Sequence, residues 1–593
     1  MDEVEEGFFC PFDKKSGIVF MIQKIFPFLR WFPLRVGVLR ADFIAGMTVA
    51  LVLVPQSMAY AQLAGVPAYY GLYAALLPVI TAALFGSSSQ LSTGPVAIVA
   101  LLTASTLSVF AVPKTEEFVI LAIFLAFLVG VIQILLGILR IGVMMNFLAH
   151  PVIVGFTNAA ALIIGFSQLN KILGVPMQQS DSYLSDIWKV FLLIPEAHLP
   201  TLCMGIAAFI AMFLLKKFVP KVPGVLIVVA VSIMASFLIG FSSHFSGNVV
   251  GTIPQGLPGI AFPRFDWHMV MNLFSAALVI ALIGFMEAIS IAKAISAKTH
   301  ESIDPNQELI GQGLANITGS FIGSFPVGGS FSRSAVNFSA GAKTSMSSIF
   351  TGLFVLLTLL FLTPFLYHLP QAVLAAVIMM AVVGLVNIKS MMHLWETHRS
   401  DGLAAFATFF ATVFFAPHLD NGILFGGVLA ILLFFGRISR PRVFECIPDK
   451  TMANRRFVES DGAVRCPQIL VLKIEGSLFF ASVSNIEKDF ETFDNGEKAR
   501  VILCRNVNFI DTAGAEFLVH EKARLERSGR RMILVGLREP VKQILKRGGF
   551  LKTIGVENIF ASKQDAIKDA FSSLDTSACT RCQAKFFLEC KKL

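Results

Sequence analysis

Arg333 stands in the run SFPVGGSFSRSAVNFSAGAKT, residues 324–344, between two strongly apolar segments. Its guanidinium stays charged at any ordinary pH and presents planar donors that suit an oxyanion. Ser330 and Ser332 add hydroxyl donors, and Gly328 and Gly329 let backbone approach a ligand closely. A second run, GSSSQLSTGPVAIVALLTAS from Gly86 to Ser105, is built alike: Ser92, Thr93 and Gly94 precede Val96 and Ala97, where a short apolar helix starts. A helix N-terminus carries unpaired N–H groups and about half a positive charge. Two such ends facing each other beside Arg333 form an anion site. Glu287, in LIGFMEAISIAKAI, reads as the one acidic residue deep in an apolar span. A carboxyl there can carry a proton, bind a cation or pair with Arg333, and its cost in the membrane makes function the default reading. Gln56 and Tyr60, in PQSMAYAQLAG, lie one helical turn apart and either contact the ligand or seal a helix interface.

Those residues need a membrane to position them. The chain has 593 residues, 55% hydrophobic and 15% charged, with a mean hydropathy of +0.73; soluble domains carry about 25% charged residues. Charge sits between apolar runs from Asp42 to Phe435 and becomes dense after Arg437. Spans need about 20 apolar residues. Candidates fall near 43–62, 70–86, 95–110, 117–139, 148–170, 199–218, 223–242, 269–293, 306–323, 330–340, 347–366, 371–388, 402–417 and 420–436, fourteen in all, of which the third and tenth are short. Polar, irregular backbone is tolerated at membrane depth only where it is buried in protein or lines a wet cavity. Gly and Ser also serve ordinary helix contacts in membranes. Two interruptions seven spans apart, one of them with an arginine, point instead to the binding site of a transporter built from inverted repeats.

An even number of spans leaves both termini on one side. With the termini inside, twelve Lys and Arg fall in inner loops and four (Lys114, Lys171, Lys189 and Arg264) in outer ones, which predicts cytoplasmic termini. This topology also accounts for the net charge of +9 without a nucleic-acid partner. The acidic N-terminus MDEVEEGFFCPFDKK is no signal peptide. The expected division is a cytoplasmic N-terminal segment at 1–40, a transmembrane transport domain at 41–438, a cytoplasmic α/β domain at 443–575 and a cysteine-containing tail at 576–593. In the α/β domain, QILVLKIEGSLFF and ARVILCRNVNFI read as strands, while SVSNIEKDFETF, AGAEFLVHEKARLERSG and PVKQILKRG read as helices. The eight cysteines are sparse and mostly on the cytoplasmic side, where disulfides are rare. The tail CTRCQAKFFLEC holds Cys579, Cys582 and Cys590 but shows no fourth zinc ligand nearby, so no metal or other cofactor is assigned. No catalytic triad or nucleotide loop occurs, which disfavours an enzyme.

The stretches VALVLVPQSMAYAQLAGVPAYYGLYAALLP, STGPVAIVALL, FTNAAALIIGFSQL and GGSFSRSAVNFSAGAKT resemble the sulfate permease (SulP) family of anion transporters, in its bacterial-type form. The resemblance spans essentially the whole chain. It implies a polytopic α-helical membrane protein with fourteen helices in two inverted seven-helix repeats, sorted into core and gate domains, with a C-terminal α/β STAS domain. It implies a homodimer in the cell (inner) membrane. It also implies a substrate site between the third and tenth helices, formed by Gln56, Tyr60, Val96, Ala97, Phe331, Ser332 and Arg333, to which Thr93 and Gly94 are added from the reading above. Glu287 falls where proton-coupled members carry an acid. Proton-coupled sulfate uptake by alternating access is the favoured reading; a sodium-coupled bicarbonate carrier or another anion exchanger is the alternative. NVNFIDTAGAEFL is similar to the STAS phosphorylation loop, but Ala513 stands at the phospho-acceptor position and Thr512 is a weak substitute, with capping of the next helix as its plain role. A nucleobase permease is disfavoured by Arg333, and a membrane-anchored signalling scaffold by the cost of keeping Glu287 and Arg333 in the membrane.

Overall fold

The computed structural model describes residues 26–31, 35–142, 150–176, 183–219, 223–260, 262–263, 266–449, 457–460, 465–582, 585 and 587–591. Most of the 1–40 segment and two residues of the loop-charge count, Lys221 and Arg264, lie outside these. The chain divides into two units, Met1–Ala430 and Ile431–Leu593.

All fourteen expected spans are helical. They are α1 Val36–Leu63, α2 Leu77–Phe85, α3 Ala97–Leu107, α4 Glu116–Ile138, α5 His150–Ser167, α6 Leu199–Phe218 and α7 Gly224–Leu238, then α8 Trp267–Thr299, α9 Pro305–Ser320, α10 Phe331–Ser339, α11 Met346–Leu357, α12 Gln371–Val383, α13 Arg399–Phe415 and α14 Leu419–Ile438. Eight helices among the described residues are long and apolar enough to cross a membrane. The sequence reading starts α1 seven residues late, because Arg40 and Asp42 interrupt the apolar pattern; the helix absorbs both, and Asp42 accepts from the backbone N–H of Lys343 at 2.6 Å and the Thr344 hydroxyl at 2.6 Å. Short helices at Tyr183–Leu192 and Ile388–Thr397 were not foreseen, being amphipathic and only ten residues each.

The helices pack in two groups. In one, α4 packs on α8 and α9, and α11 packs on α1 and α2; in the other, α5 packs on α12 and α13, and α6 on α7 and α12. The α4–α9 contact depends on two glycines. A Cβ at Gly130 would stand 2.6 Å from the Gly313 carbonyl oxygen, and one at Gly313 would stand 2.7 Å from that of Gly130. Membrane helices without a hydrophobic drive to associate use such close backbone approach.

The second unit holds a six-stranded sheet in the order β4-β3-β5-β6-β7-β8. Its strands are β3 Arg442–Pro448, β4 Phe457–Glu459, β5 Ile469–Glu475, β6 Ala499–Asn506, β7 Arg531–Val535 and β8 Ile559–Phe560; β1 and β2 belong to the first unit and are described below. β5 to β8 pair in parallel, while β3 and β4 add an antiparallel edge. The buried runs ILVL of β5 and VILC of β6 are apolar on both faces, as a parallel sheet covered by helices requires. The expected helices are present as α15 Val483–Thr492, α16 Thr512–Arg527 and α17 Glu539–Arg547. The cap of α16 differs from the expectation: Asp511, not Thr512, is the N-cap, and its carboxylate accepts from Gly514 N–H at 2.9 Å and Phe480 N–H at 2.9 Å. A carboxylate reaching two backbone donors outcompetes a hydroxyl one position later. The described cysteines are all free thiols, and burial pushes Cys504 up to about 12 and Cys446 up to about 11, leaving both unreactive.

Candidate anion-binding site

Two short strands bring the broken segments together. β1, Thr93–Gly94, pairs antiparallel with β2, Gly328–Gly329, Thr93 opposite Gly329 and Gly94 opposite Gly328. Each strand runs directly into a short helix, β1 into α3 and β2 into α10, so the two helix N-termini start from one crossing. The N-cap residues, Val96 and Ser330, are both extended, and neither gives a side-chain hydrogen bond to its helix. Orphan N–H groups therefore remain in both first turns. The backbone at the crossing tolerates little substitution: Gly94 has φ +145°, and a Cβ at Gly329 would stand 2.8 Å from Ala288 Cα of α8.

Arg333 is fully buried against this crossing. Its Nη1 donates to the Pro95 carbonyl oxygen at 2.9 Å, while Nε and Nη2 are buried with no hydrogen-bond partner among the described residues. Ser92 Oγ, Gln56 Oε1 and one oxygen of Glu287 are also buried and unpaired there. Tyr60, Glu287 and Arg333 lie within electrostatic reach of one another. Among the described residues no salt bridge joins Glu287 to Arg333, so the direct pairing considered from sequence is not made in this conformation. Helix packing supplies the rest: α1, which carries Gln56 and Tyr60, lies against α3 and α10, and α8, which carries Glu287, lies against α3, α10 and β2. Gln56, Tyr60, Thr93, Gly94, Val96 and Ala97 are all buried. Phe331 and Ser332 differ: Phe331 is 64% exposed and Ser332 is exposed as well, so these two lie on the open side of α10. The Thr93 hydroxyl accepts from Gln312 Nε2 at 2.7 Å, which ties it to the scaffold.

A polar stripe on α9 holds the crossing in place, and the sequence reading missed it. Glu308, Gln312 and Asn316 recur every four residues and so share one face. Glu308, 2% exposed, is another acid buried in a span helix, as Asp42 of α1 is, contrary to the expectation that Glu287 is alone. It accepts from Ser87 N–H at 2.8 Å, Ser87 Oγ at 3.0 Å, Ser88 N–H at 3.2 Å and Gln312 Nε2 at 3.2 Å. Asn316 accepts from Val327 N–H at 2.8 Å and donates to Gln133 Oε1 at 3.0 Å. The signal was the fourfold spacing, hidden because Glu308 falls in the first turn of its helix, where acids are common caps. Glu308→Ala strands the Ser87 and Ser88 N–H groups. A loss of about 1–3 kcal/mol follows from leaving these buried donors unsatisfied, seen as a lower thermal unfolding midpoint of the full chain in detergent; an unchanged midpoint contradicts this role.

The fold is shared with known proteins. The model of the sulfate permease family matches residues 39–408, and that of the STAS domain matches residues 463–566. The chain belongs to the sulfate permease family. Relatives include "Sulfate transporter 4.1, chloroplastic" of Arabidopsis thaliana, 32% identical over 95% of this chain and 85% of that protein, and "Sodium-independent sulfate anion transporter" of Bos taurus, 32% identical over 88% of each. Among solved structures, "The overall structure of SLC26A9" matches with a TM-score of 0.87 at 22% identity, covering 97% of this chain and 96% of that one. The transmembrane domain of the cyanobacterial bicarbonate transporter BicA matches with a TM-score of 0.57 at 20% identity over 67% of this chain and 98% of that one. At these identities the structures speak for the permease fold: fourteen helices in two inverted halves, with a C-terminal STAS domain. The family is one of transporters, not enzymes.

Proposed function

We propose that this permease is a secondary active carrier that takes up sulfate by alternating access, coupled to protons. Residues 41–438 form the transport domain, and 443–575 the STAS domain. One observation carries the reading: a fully buried arginine has two nitrogens without acceptors beside two uncapped helix N-termini. Leaving such a cation unsatisfied costs several kcal/mol, and a small oxyanion supplies the missing acceptors. Arg333, Gln56, Tyr60, Thr93, Gly94, Val96, Ala97 and the open edge at Phe331 and Ser332 then form the substrate site. Sulfate is favoured over other anions by the names of the relatives from plants and cattle. Glu287, within reach of Arg333, is the coupling residue. A bicarbonate carrier remains the alternative reading, motivated by the fold shared with a bicarbonate transporter.

Purified full-length protein in liposomes tests the proposal. Labelled sulfate should enter faster than into empty liposomes, accumulate under an inward pH gradient without sodium, and be displaced by unlabelled sulfate better than by bicarbonate. Dependence on sodium, or stronger competition by bicarbonate, would favour the alternative; no flux at all would refute transport.

The carrier is further proposed to sit in the cell membrane as a homodimer with both termini in the cytoplasm. Ser572, exposed on the helix Lys563–Ser572, reports the side. In a variant carrying Ser572→Cys with Cys579, Cys582 and Cys590 replaced by serine, an impermeant thiol reagent applied to intact cells should leave position 572 unlabelled until the cells are opened. Ready labelling from outside would overturn the loop-charge argument.

A further inference from the structure

A second anion pocket lies beyond the far end of α3. The eleven residues of α3 carry the chain about 16 Å from the crossing at Arg333, and Lys114 follows in the loop to α4. Its backbone N–H donates to the Gly65 carbonyl oxygen at 2.7 Å, which anchors this loop to the end of α1. Here a cavity of about 150 Å³ is lined by Lys114, Asn170, Lys171, Thr201, Asn248 and Gln371, and among the described residues no carboxylate lines it. That is well above the roughly 10–15 Å³ a single water needs, so the space admits a small oxyanion.

Among the described residues the charges here have no carboxylate partner. Lys114 and Lys171 lie close enough to repel each other, and among the described residues neither forms a salt bridge. Lys171 Nζ donates to Gln168 Oε1 at 3.3 Å, a neutral partner. The nearest acid in the adjoining larger cavity, Asp186, is engaged by Lys189 at 3.8 Å. Two further positive ends converge on the same space. Thr201 lies in the first turn of α6 and Gln371 opens α12, helices of 20 and 13 residues, and the side chain of neither N-cap, His198 nor Pro370, accepts a backbone N–H of its helix; the His198 ring instead meets the Thr201 hydroxyl at 2.6 Å. Two ammonium groups and two helix N-termini around a polar cavity repeat the physics of the central site.

We propose that this pocket binds a second small tetrahedral oxyanion, sulfate being the probe at hand. Lys114 comes from the loop between α3 and α4, while Lys171, Thr201 and Gln371 come from the α5, α6 and α12 side, so the bound anion bridges the two helix groups. With the termini cytoplasmic, the pocket faces outward; its existence does not depend on that orientation or on the central site.

Equilibrium binding of labelled sulfate to the full-length protein in detergent tests this. At the sulfate concentration that just saturates the unaltered protein, two bound sulfates per chain are expected for it, one for Lys171→Gln and one for Arg333→Gln, whose altered site is weakened below occupancy there, and none for the double variant. Lys114→Gln, on an exposed loop, serves if Lys171→Gln does not fold, with the same expected loss of one sulfate. A single sulfate that disappears with Arg333→Gln and survives either lysine change overturns the second pocket and leaves the central reading intact. Loss with the lysine changes but not with Arg333→Gln upholds this pocket and removes the central one. Two sulfates retained by both lysine variants, with unchanged unfolding midpoints, also overturn it.

Discussion

Arg333→Gln is expected to weaken sulfate binding at the central site by about 1–3 kcal/mol, roughly 5- to 150-fold in apparent affinity. The guanidinium is fully buried, and among the described residues only Nη1 has an acceptor, the Pro95 carbonyl oxygen at 2.9 Å. Nε and Nη2 are therefore free to donate to an anion. Glutamine keeps one amide donor and loses both the charge and the planar fork. The helix ends of α3 and α10 remain in the variant, so binding should weaken rather than vanish. The measurement is the sulfate concentration for half-maximal uptake into liposomes. A folded variant with an unchanged value would show that Arg333 serves the scaffold alone.

Glu287→Gln is expected to abolish pH-driven accumulation while leaving sulfate–sulfate exchange at equal pH. Moving a divalent anion into a negative interior costs roughly 2.3 kcal/mol per charge per 100 mV, so accumulation needs a co-transported cation. Glu287 lies within electrostatic reach of Arg333 and Tyr60, and one of its oxygens is buried without a partner. As a carboxylate it offsets the charge of Arg333 and competes with the anion. In the proposed coupling, protonation releases that charge to sulfate, so proton and anion bind together. Glutamine fixes the neutral state: the anion still binds and exchanges, but no proton travels with it. Uptake with acid outside and neutral buffer inside is compared with exchange at equal pH. Accumulation that survives in Glu287→Gln would remove this residue from coupling. Loss of both activities would assign it a structural role beside Arg333.

Much of this was legible in the sequence because a membrane makes strict demands. Apolar runs of spanning length fixed the fourteen helices to within a few residues at most ends, and Gly/Ser-rich interruptions marked α3 and α10. The pairing of Thr93 with Gly329 was not legible, since two-residue strands leave no alternating pattern. Nor was the α9 stripe, because Glu308 reads as an ordinary first-turn acid until Ser87 and Ser88 are seen to donate to it. Phe331 and Ser332 are adjacent to Arg333 in sequence, yet a helix turns each residue by about 100°, so Arg333 points inward while these two lie on the open side. In the STAS domain, β5 and β6 were visible as apolar runs, whereas β3, β4 and the short β7 and β8 were not; in the edge strand β4 and its half-exposed neighbour β3 the pattern is mixed.

Ser332 gives the most direct test of the central claim, that a sulfate sits at the facing ends of α3 and α10. It is exposed one position before the buried Arg333. In a Ser332→Cys variant, the rate of modification by a small thiol reagent is measured with and without sulfate, at constant ionic strength. Sulfate should slow the reaction with a half-maximal concentration matching that for uptake, and this protection should shift to higher sulfate or be lost when Arg333→Gln is added. A modification rate indifferent to sulfate in the presence of Arg333, in protein that still transports, would contradict the site.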